Sequence, residues 1–138
     1  MNRDDFQSLS RLRVAEATVL LQNGCYPGAY YLLGYAVECA LKACVAKQIK
    51  ACEWPEREFS RKIYTHDLGD LLGLSGLEDK FETELKANGA LNDNWAVVKD
   101  WKEDSRYLHS ISQLEAEDLH SAVMDTGNGV LTWLKKRW

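Results

Sequence analysis

The chain has 138 residues, of which 46% are hydrophobic and 28% are charged. This length and composition predict one globular domain, residues 1–138, and exclude wholesale disorder. The net charge of −4 argues against a broadly basic, nonspecific nucleic-acid binder, although a local basic cleft is compatible with it. We expect no membrane-spanning segment, and the charged N-terminus lacks the apolar core of a signal peptide. The expected location is therefore cytoplasmic.

The first predicted helix covers residues 4–23. Leu9, Leu12 and Val19 belong to an apolar stripe at approximately helical spacing. Asn23-Gly24 is expected to end the helix, because glycine suits the left-handed conformation that follows a last turn. A short turn then leads into a second long helix, so the two helices are expected to form an antiparallel hairpin.

The second helix, predicted from Pro27 to Lys50, contains the most informative residues. Pro27 fits the first turn, where its missing N–H is not needed. Gly34 is tolerated in the interior at a cost of about 1 kcal/mol. Apolar and small residues cover more than half of the circumference, which predicts a central helix buried on several sides. Glu38 and Lys42 are spaced i, i+4 with the acid first, so they are expected to form a pair.

The middle of the chain contains shorter segments. Residues 51–65 predict an irregular, exposed connection with room for a short turn of helix. Thr65 is expected to cap the short helix that follows. Ser75-x-x-Glu78 has the form of a capping box that opens another helix, and Asn88-Gly89 is expected to end it.

Two more helices are predicted in the last third of the chain. The first starts at Asn92 or Asp93 and runs out near Asp104. A second capping-box pattern, at residues 112–115, opens a long final helix that the glycines of residues 127–129 would kink. No stretch shows the alternation of a strand. The sequence therefore predicts an all-α, up-and-down bundle of four to six helices.

The cysteines and tryptophans favour structural roles. Cys25, Cys39, Cys44 and Cys52 include no C-x-x-C pair and are interpreted as structural thiols rather than metal ligands or a disulfide. The tryptophans Trp95 and Trp101 are expected to pack rather than to stack on bases, and Trp138 is expected to be the most exposed tryptophan.

Residues 23–47, NGCYPGAYYLLGYAVECALKACVAK, closely resemble the signature helix of HEPN domains, the "higher eukaryotes and prokaryotes nucleotide-binding" family. The family pattern is a Gly-aromatic turn, then Ala-Tyr-Tyr, then Gly-Tyr-Ala-Val-Glu-x-Ala-Leu-Lys. The matching residues are Gly24, Tyr26, Ala29, Tyr30, Tyr31, Gly34, Tyr35, Ala36, Val37, Glu38, Ala40, Leu41 and Lys42. Residues 65–68 and the Trp101…Arg106-Tyr107 elements fit the same family in the same order. The resemblance implies a HEPN-like bundle over nearly the whole chain.

The resemblance implies nucleotide or RNA binding. Catalytic family members are metal-independent RNases in which an arginine is followed, after four to six residues, by a histidine at the start of a late helix. Arg106 resembles the arginine of that motif. Ile111, Ser112 and Gln113 occupy the positions where the histidine would fall, and His109 follows too closely. We therefore expect a degenerate, noncatalytic member.

The residues expected to bind nucleotide or RNA are Arg106, Tyr107, His66, Glu38 and Lys42. Glu38 is an acid within an apolar helix, so it is expected to pair with Lys42 or with Arg106 across the bundle. His66 has two interpretations, an oriented imidazole near a phosphate or a residue that fills a capping turn. Arg106 either contacts phosphate or neutralises Glu38 or Asp104. No metal-ligand spacing and no Gly-rich phosphate loop is present, so no metal and no cofactor is expected.

Three functions follow from the resemblance. The leading one is a noncatalytic nucleotide- or RNA-binding protein that acts with a minimal nucleotidyltransferase, since such family members are often encoded beside one as a toxin–antitoxin or defence pair. The first alternative is an RNase that uses Arg106 with a displaced histidine, His109 or His66. The second alternative is a pure dimerisation domain.

A homodimer is expected in each case. Family members commonly dimerise through the central helices, and this central helix is too apolar for one antiparallel neighbour to cover. The expected interface residues are Tyr30, Tyr31 and Tyr35.

Overall fold

A computed structural model describes residues 1–49 and 55–138 of the chain. This part of the chain contains α-helices and one short 3₁₀ helix but no strand, which confirms the all-α prediction. The helices are α1 (Arg3–Gln22), α2 (Tyr26–Gln48), α3 (Arg57–Lys62), α4 (Leu68–Leu74), α5 (Glu78–Ala87), α6 (Gly89–Val98), the 3₁₀ helix (Glu103–Tyr107), α7 (Gln113–Met124) and α8 (Val130–Lys135). Among the described residues there are thus eight α-helices, more than the four to six predicted. Lys50 and Cys52 lie outside the described residues.

The first two helices form the predicted antiparallel hairpin. The Asn2 side chain caps α1 by accepting from the Asp5 N–H at 3.0 Å. Gly24 has φ of 74°, the left-handed conformation expected after the last turn. The buried Ser10 hydroxyl donates to the Ala36 carbonyl at 2.8 Å and joins the two helices at a distance from the turn.

Helix α2 is the central element of the fold. It contacts α1, α4, α7, α8 and the 3₁₀ helix, and 12 of its 23 residues are buried. Neighbours within the chain therefore provide much of the cover that its apolar circumference requires. Tyr30, Tyr31 and Tyr35 are half-buried and pack against the core of the same chain.

The composition of α2 reflects this burial. By length and hydropathy alone, α2 is a helix that could cross a membrane, contrary to the expectation from the sequence. However, 67% of its most apolar window is buried inside the fold. The core position of the helix thus accounts for its apolar composition.

Two of the predicted caps in the middle of the chain are wrong. Asp67 rather than Thr65 caps α4, since its Oδ1 accepts from the Asp70 N–H at 3.1 Å. Thr65 instead accepts from the Asp67 N–H. Ser75 ends α4 by donating to the Leu72 carbonyl at 2.6 Å, and α5 begins without a side-chain cap.

Helix α6 begins and ends earlier than predicted. Asn88 caps its start at Gly89, because the Asn88 side chain accepts from the Leu91 N–H at 3.2 Å. The same side chain donates to Asn128 Oδ1 at 2.8 Å and is thereby held against the loop before α8. As α6 ends at Val98, the helical spacing predicted for Trp101 is wrong, although Trp101 is buried as expected.

The last part of the chain is two helices rather than one kinked helix. The capping box at residues 112–115 is confirmed, with reciprocal bonds of 2.8 and 3.1 Å. Asp125 Oδ2 accepts from the N–H groups of Gly127 and Asn128, which forms a turn that ends the helical ladder. A Cβ at Gly129 would lie 2.5 Å from the Asp125 carbonyl oxygen, so this turn requires glycine.

Trp138 and the cysteines have structural surroundings. Trp138 is half-buried against the core, with the Arg11 guanidinium 5.0 Å from its ring centroid. Cys25, Cys39 and Cys44 are free thiols. Burial raises the pKa of Cys39 to about 12 and that of Cys44 to about 11, which makes both thiols poor nucleophiles.

Candidate functional site

Glu38 is the buried centre of a cluster of charged side chains. It lies in the middle of α2 with 1% of its surface exposed. Lys42 Nζ donates to Glu38 Oε1 at 2.8 Å, which confirms the predicted pair. His66 Nδ1 lies 2.9 Å from the same oxygen and is the donor when Glu38 is ionised, because a carboxylate only accepts. The alternative pairing of Glu38 with Arg106 is wrong, since His66 occupies that position.

The turn before α4 places His66 beside Glu38. Asp67 caps α4 and also accepts from Lys102 Nζ at 2.8 Å, which joins this turn to the segment before the 3₁₀ helix. The hydrogen bond from Lys102 lowers the pKa of Asp67. The two sequence interpretations of His66 are therefore compatible, because Asp67 completes the capping turn while the His66 ring contacts Glu38.

The 3₁₀ helix adds the second half of the cluster. Glu103 Oε2 lies 2.8 Å from His66 Nε2, and Glu103 Oε1 lies 3.3 Å from the Arg106 guanidinium. The contact with His66 is close but is not aligned as a hydrogen bond, so we treat it as a charge contact. Arg106 is thus neutralised by Glu103, and the predicted pairings of Arg106 with Glu38 or Asp104 are wrong. We call the series Lys42, Glu38, His66, Glu103 and Arg106 the charged chain.

Aromatic side chains accompany the exposed end of the charged chain. The Arg106 guanidinium lies 4.9 Å from the ring centroid of Tyr107, whose side chain is largely exposed. The Tyr31 ring stacks on Tyr35 and on Trp101, with centroids 6.0 and 6.1 Å apart. Arg106 belongs to the 3₁₀ helix, which precedes the start of α7 at its cap Ser112.

A largely apolar cavity of about 450 Å³ opens beside the buried end of the charged chain. Glu38, Lys42 and His66 contribute polar groups to its lining. Its apolar lining includes Phe6, Tyr35, Cys39, Val45, Ile49 and Ile63. Within the described residues Glu38 Oε2 has no hydrogen-bond partner. Apolar cavities with a few convergent polar groups are typical of small-molecule sites.

The structure brings most of the predicted site residues together. Glu38, Lys42, His66 and Arg106 belong to one series of contacts, with Tyr107 against its end. His109 is exposed in the irregular segment after the 3₁₀ helix and is not a member of the charged chain.

Glu103, the residue that connects the two halves, is not among the residues predicted from the sequence. Its spacing of three residues from Arg106 on a helical segment is a signal for the pair with Arg106. No local signal indicates its contact with His66.

No ligand set for a metal ion emerges from residues 1–49 and 55–138, where no group of three or more His, Cys, Asp or Glu side chains is suitably arranged.

Comparisons of the chain with protein-family models, with curated proteins and with solved structures found no match.

Proposed function

We propose that the protein is a noncatalytic, HEPN-like domain that binds RNA or nucleotides through phosphate contacts of Arg106 and His66. The observation that supports this proposal is that both side chains approach the same carboxylate, that of Glu103, at 3.3 and 2.8 Å. A phosphate presents oxygens in a comparable arrangement and gains charge-assisted hydrogen bonds from a guanidinium. The exposed ring of Tyr107, next to Arg106, offers a surface on which a base can stack.

The other members of the charged chain support such a site. Buried Glu38 orients the His66 ring through Nδ1, and Lys42 balances the charge of Glu38. The outer end of the series, with His66 half-exposed and Arg106 44% exposed at the side chain, is accessible to a phosphate from solvent. We assign Glu38 and Lys42 a positioning role and Arg106, His66 and Tyr107 the ligand contacts.

A metal-independent RNase is the second candidate function, and one observation favours it. The carboxylate of Glu38 contacts His66 Nδ1 and leaves Nε2 on the side of Arg106, an arrangement that also suits an imidazole in general acid–base catalysis. In this alternative His66, not His109, is the displaced histidine. The absence of histidine at residues 111–113 favours the noncatalytic proposal.

Replacing Arg106 with alanine tests the binding site. We expect the affinity for a labelled single-stranded RNA to fall by about tenfold or more, because the variant loses a charge-assisted contact with phosphate. Fluorescence anisotropy measures this change. Lys86→Ala removes an exposed cation in the last turn of α5 and is expected to leave the affinity within about twofold, a change near the noise of such measurements.

Two outcomes would contradict the proposal. Unchanged RNA affinity in Arg106→Ala removes this residue from the site. Cleavage of the RNA by the wild-type protein in the presence of a chelator, lost in both Arg106→Ala and His66→Gln, replaces the noncatalytic proposal with the RNase.

The resemblance also supports a homodimer that acts with a minimal nucleotidyltransferase. Sedimentation equilibrium at micromolar concentration is expected to give the mass of a two-fold dimer. Tyr30→Glu is expected to lower the measured mass to that of the monomer. Tyr30 is half-buried on α2, and a charge at this position would be desolvated at an interface. Tyr64→Glu, at a side chain that is 80% exposed, is the control. A wild-type protein that sediments only as monomer contradicts the dimer.

A further inference from the structure

Glu103 occupies the position at which the proposed ligand phosphate would bind. Its Oε2 contacts His66 Nε2 at 2.8 Å, and its Oε1 contacts the Arg106 guanidinium at 3.3 Å. Each oxygen of this carboxylate therefore faces one of the two groups assigned to the phosphate. An external anion can reach both groups only after the Glu103 side chain has moved.

The contacts of Glu103 are weak enough to be exchanged. The pair with Arg106 joins side chains that are 32% and 44% exposed, and exposed pairs of this kind contribute little to stability. The contact with His66 is not aligned as a hydrogen bond. With Nδ1 donating to Glu38, this contact is attractive only when Nε2 also carries a proton. Glu103 is consequently a removable occupant of the site rather than a buried structural partner.

The exchange determines which ligands can bind. A single phosphate must displace the Glu103 carboxylate from His66 and Arg106. It then makes contacts of the same kind with these two residues, so the net free energy of binding is small. A strand with several phosphates gains further contacts, for which Lys102, 58% exposed at the side chain and paired with Asp67, is an additional cation in the same segment. The net charge of −4 adds a general repulsion that favours ligands with several contacts.

We propose that Glu103 is an internal competitor that excludes isolated phosphates and mononucleotides from the His66–Arg106 site and admits RNA strands. This inference rests on the proposed function and names the ligand class of the same site. Glu103 is then a specificity-determining residue, and its removal is expected to raise the affinity for isolated phosphates and mononucleotides.

The test compares Glu103→Gln with Asp104→Asn in calorimetric titrations with inorganic phosphate and with adenosine monophosphate. Both substitutions remove one negative charge from the same 3₁₀ helix, but only Glu103 contacts His66 and Arg106. We expect the affinity of Glu103→Gln for both ligands to rise by at least about tenfold and that of Asp104→Asn by no more than about twofold. The double variant Glu103→Gln with Arg106→Ala is expected to bind both ligands no more tightly than the wild type. Thermal melts followed by circular dichroism verify that each variant is folded.

The outcomes separate this inference from the proposed function. If wild-type RNA binding depends on Arg106 while Glu103→Gln binds phosphate no better than the wild type, the inference is overturned and the proposed function stands. An equal gain in Asp104→Asn also overturns it, because the effect is then one of net charge. If the wild type binds no RNA but Glu103→Gln gains phosphate affinity through Arg106, Glu103 still excludes isolated phosphates, whereas the admission of RNA and the proposed function are overturned.

Discussion

Replacing Gly34 with alanine is expected to destabilise the fold by about 3 kcal/mol, the upper part of the range for overpacked cores. A Cβ at Gly34 would lie 2.2 Å from two ring atoms of Trp101. Trp101 is 1% exposed and is the largest fully buried side chain among the described residues, so its ring is enclosed and can move only by displacing its neighbours. The gain in helix propensity of about 1 kcal/mol for alanine does not offset this clash. Urea denaturation of the variant and the wild type measures the difference.

Gly89→Ala is the matched control for this substitution. A Cβ at Gly89 meets nothing within 4 Å at the start of α6. We expect this variant to be unchanged or more stable by up to about 1 kcal/mol, because alanine restricts the unfolded chain. Equal denaturation midpoints for Gly34→Ala and the wild type would show that α2 and Trp101 do not pack as described. Since Trp101 lies two residues before the 3₁₀ helix that carries Arg106, Gly34→Ala is also expected to weaken RNA binding.

Gly34 illustrates which parts of the fold are readable from the sequence. As a helix residue it is predictable, because the surrounding residues keep helical spacing from Pro27 onward. Its reason for being glycine is not predictable, since the ring that requires it belongs to a distant part of the chain. Helices α1 and α2 and the capping box at residues 112–115 were correct for the same reason, as each depends on local spacing.

Ser75 and the start of α6 show the opposite case. Ser75 was expected to open α5 but ends α4, whereas Asn88 ends α5 as expected and also opens α6. Both are residue types that can satisfy a helix start or a helix end, so their local pattern leaves both roles open. Tertiary contacts decide between them. Asn88 is held by Asn128, which lies in the loop before α8, and it therefore joins the end of α5 to the start of α6. The prediction of a later start for α6 could not include this contact.

The candidate site divides in the same way. The pair of Glu38 and Lys42 follows from i, i+4 spacing within one helix, and it is present at 2.8 Å. The contacts of His66 with Glu38 and with Glu103 join three separate segments of the chain. Only the packed structure shows that His66, rather than His109, lies between the buried acid and Arg106.

Replacing Glu38 with alanine is expected to destabilise the fold by about 3–5 kcal/mol. Glu38 is 1% exposed, and its removal leaves the Lys42 ammonium, whose side chain is 17% exposed, without its carboxylate partner. The variant also leaves space where the side chain was and removes the group that orients His66. Urea denaturation gives the change in stability, and RNA binding by the fraction that remains folded is expected to be weaker because His66 is no longer held.

The pair of Glu58 and Lys62 on α3 is the matched control for Glu38. It has the same i, i+4 spacing and the same distance of 2.8 Å, but its side chains are 78% and 59% exposed. Glu58→Ala is therefore expected to leave the urea denaturation midpoint unchanged within error, since solvent screens an exposed pair. A large loss for Glu38→Ala beside a negligible loss for Glu58→Ala attributes the effect to burial. Equally small losses of stability in Glu38→Ala and Glu58→Ala would show that Glu38 is not a buried charge. That result would also contradict the positioning role assigned to Glu38.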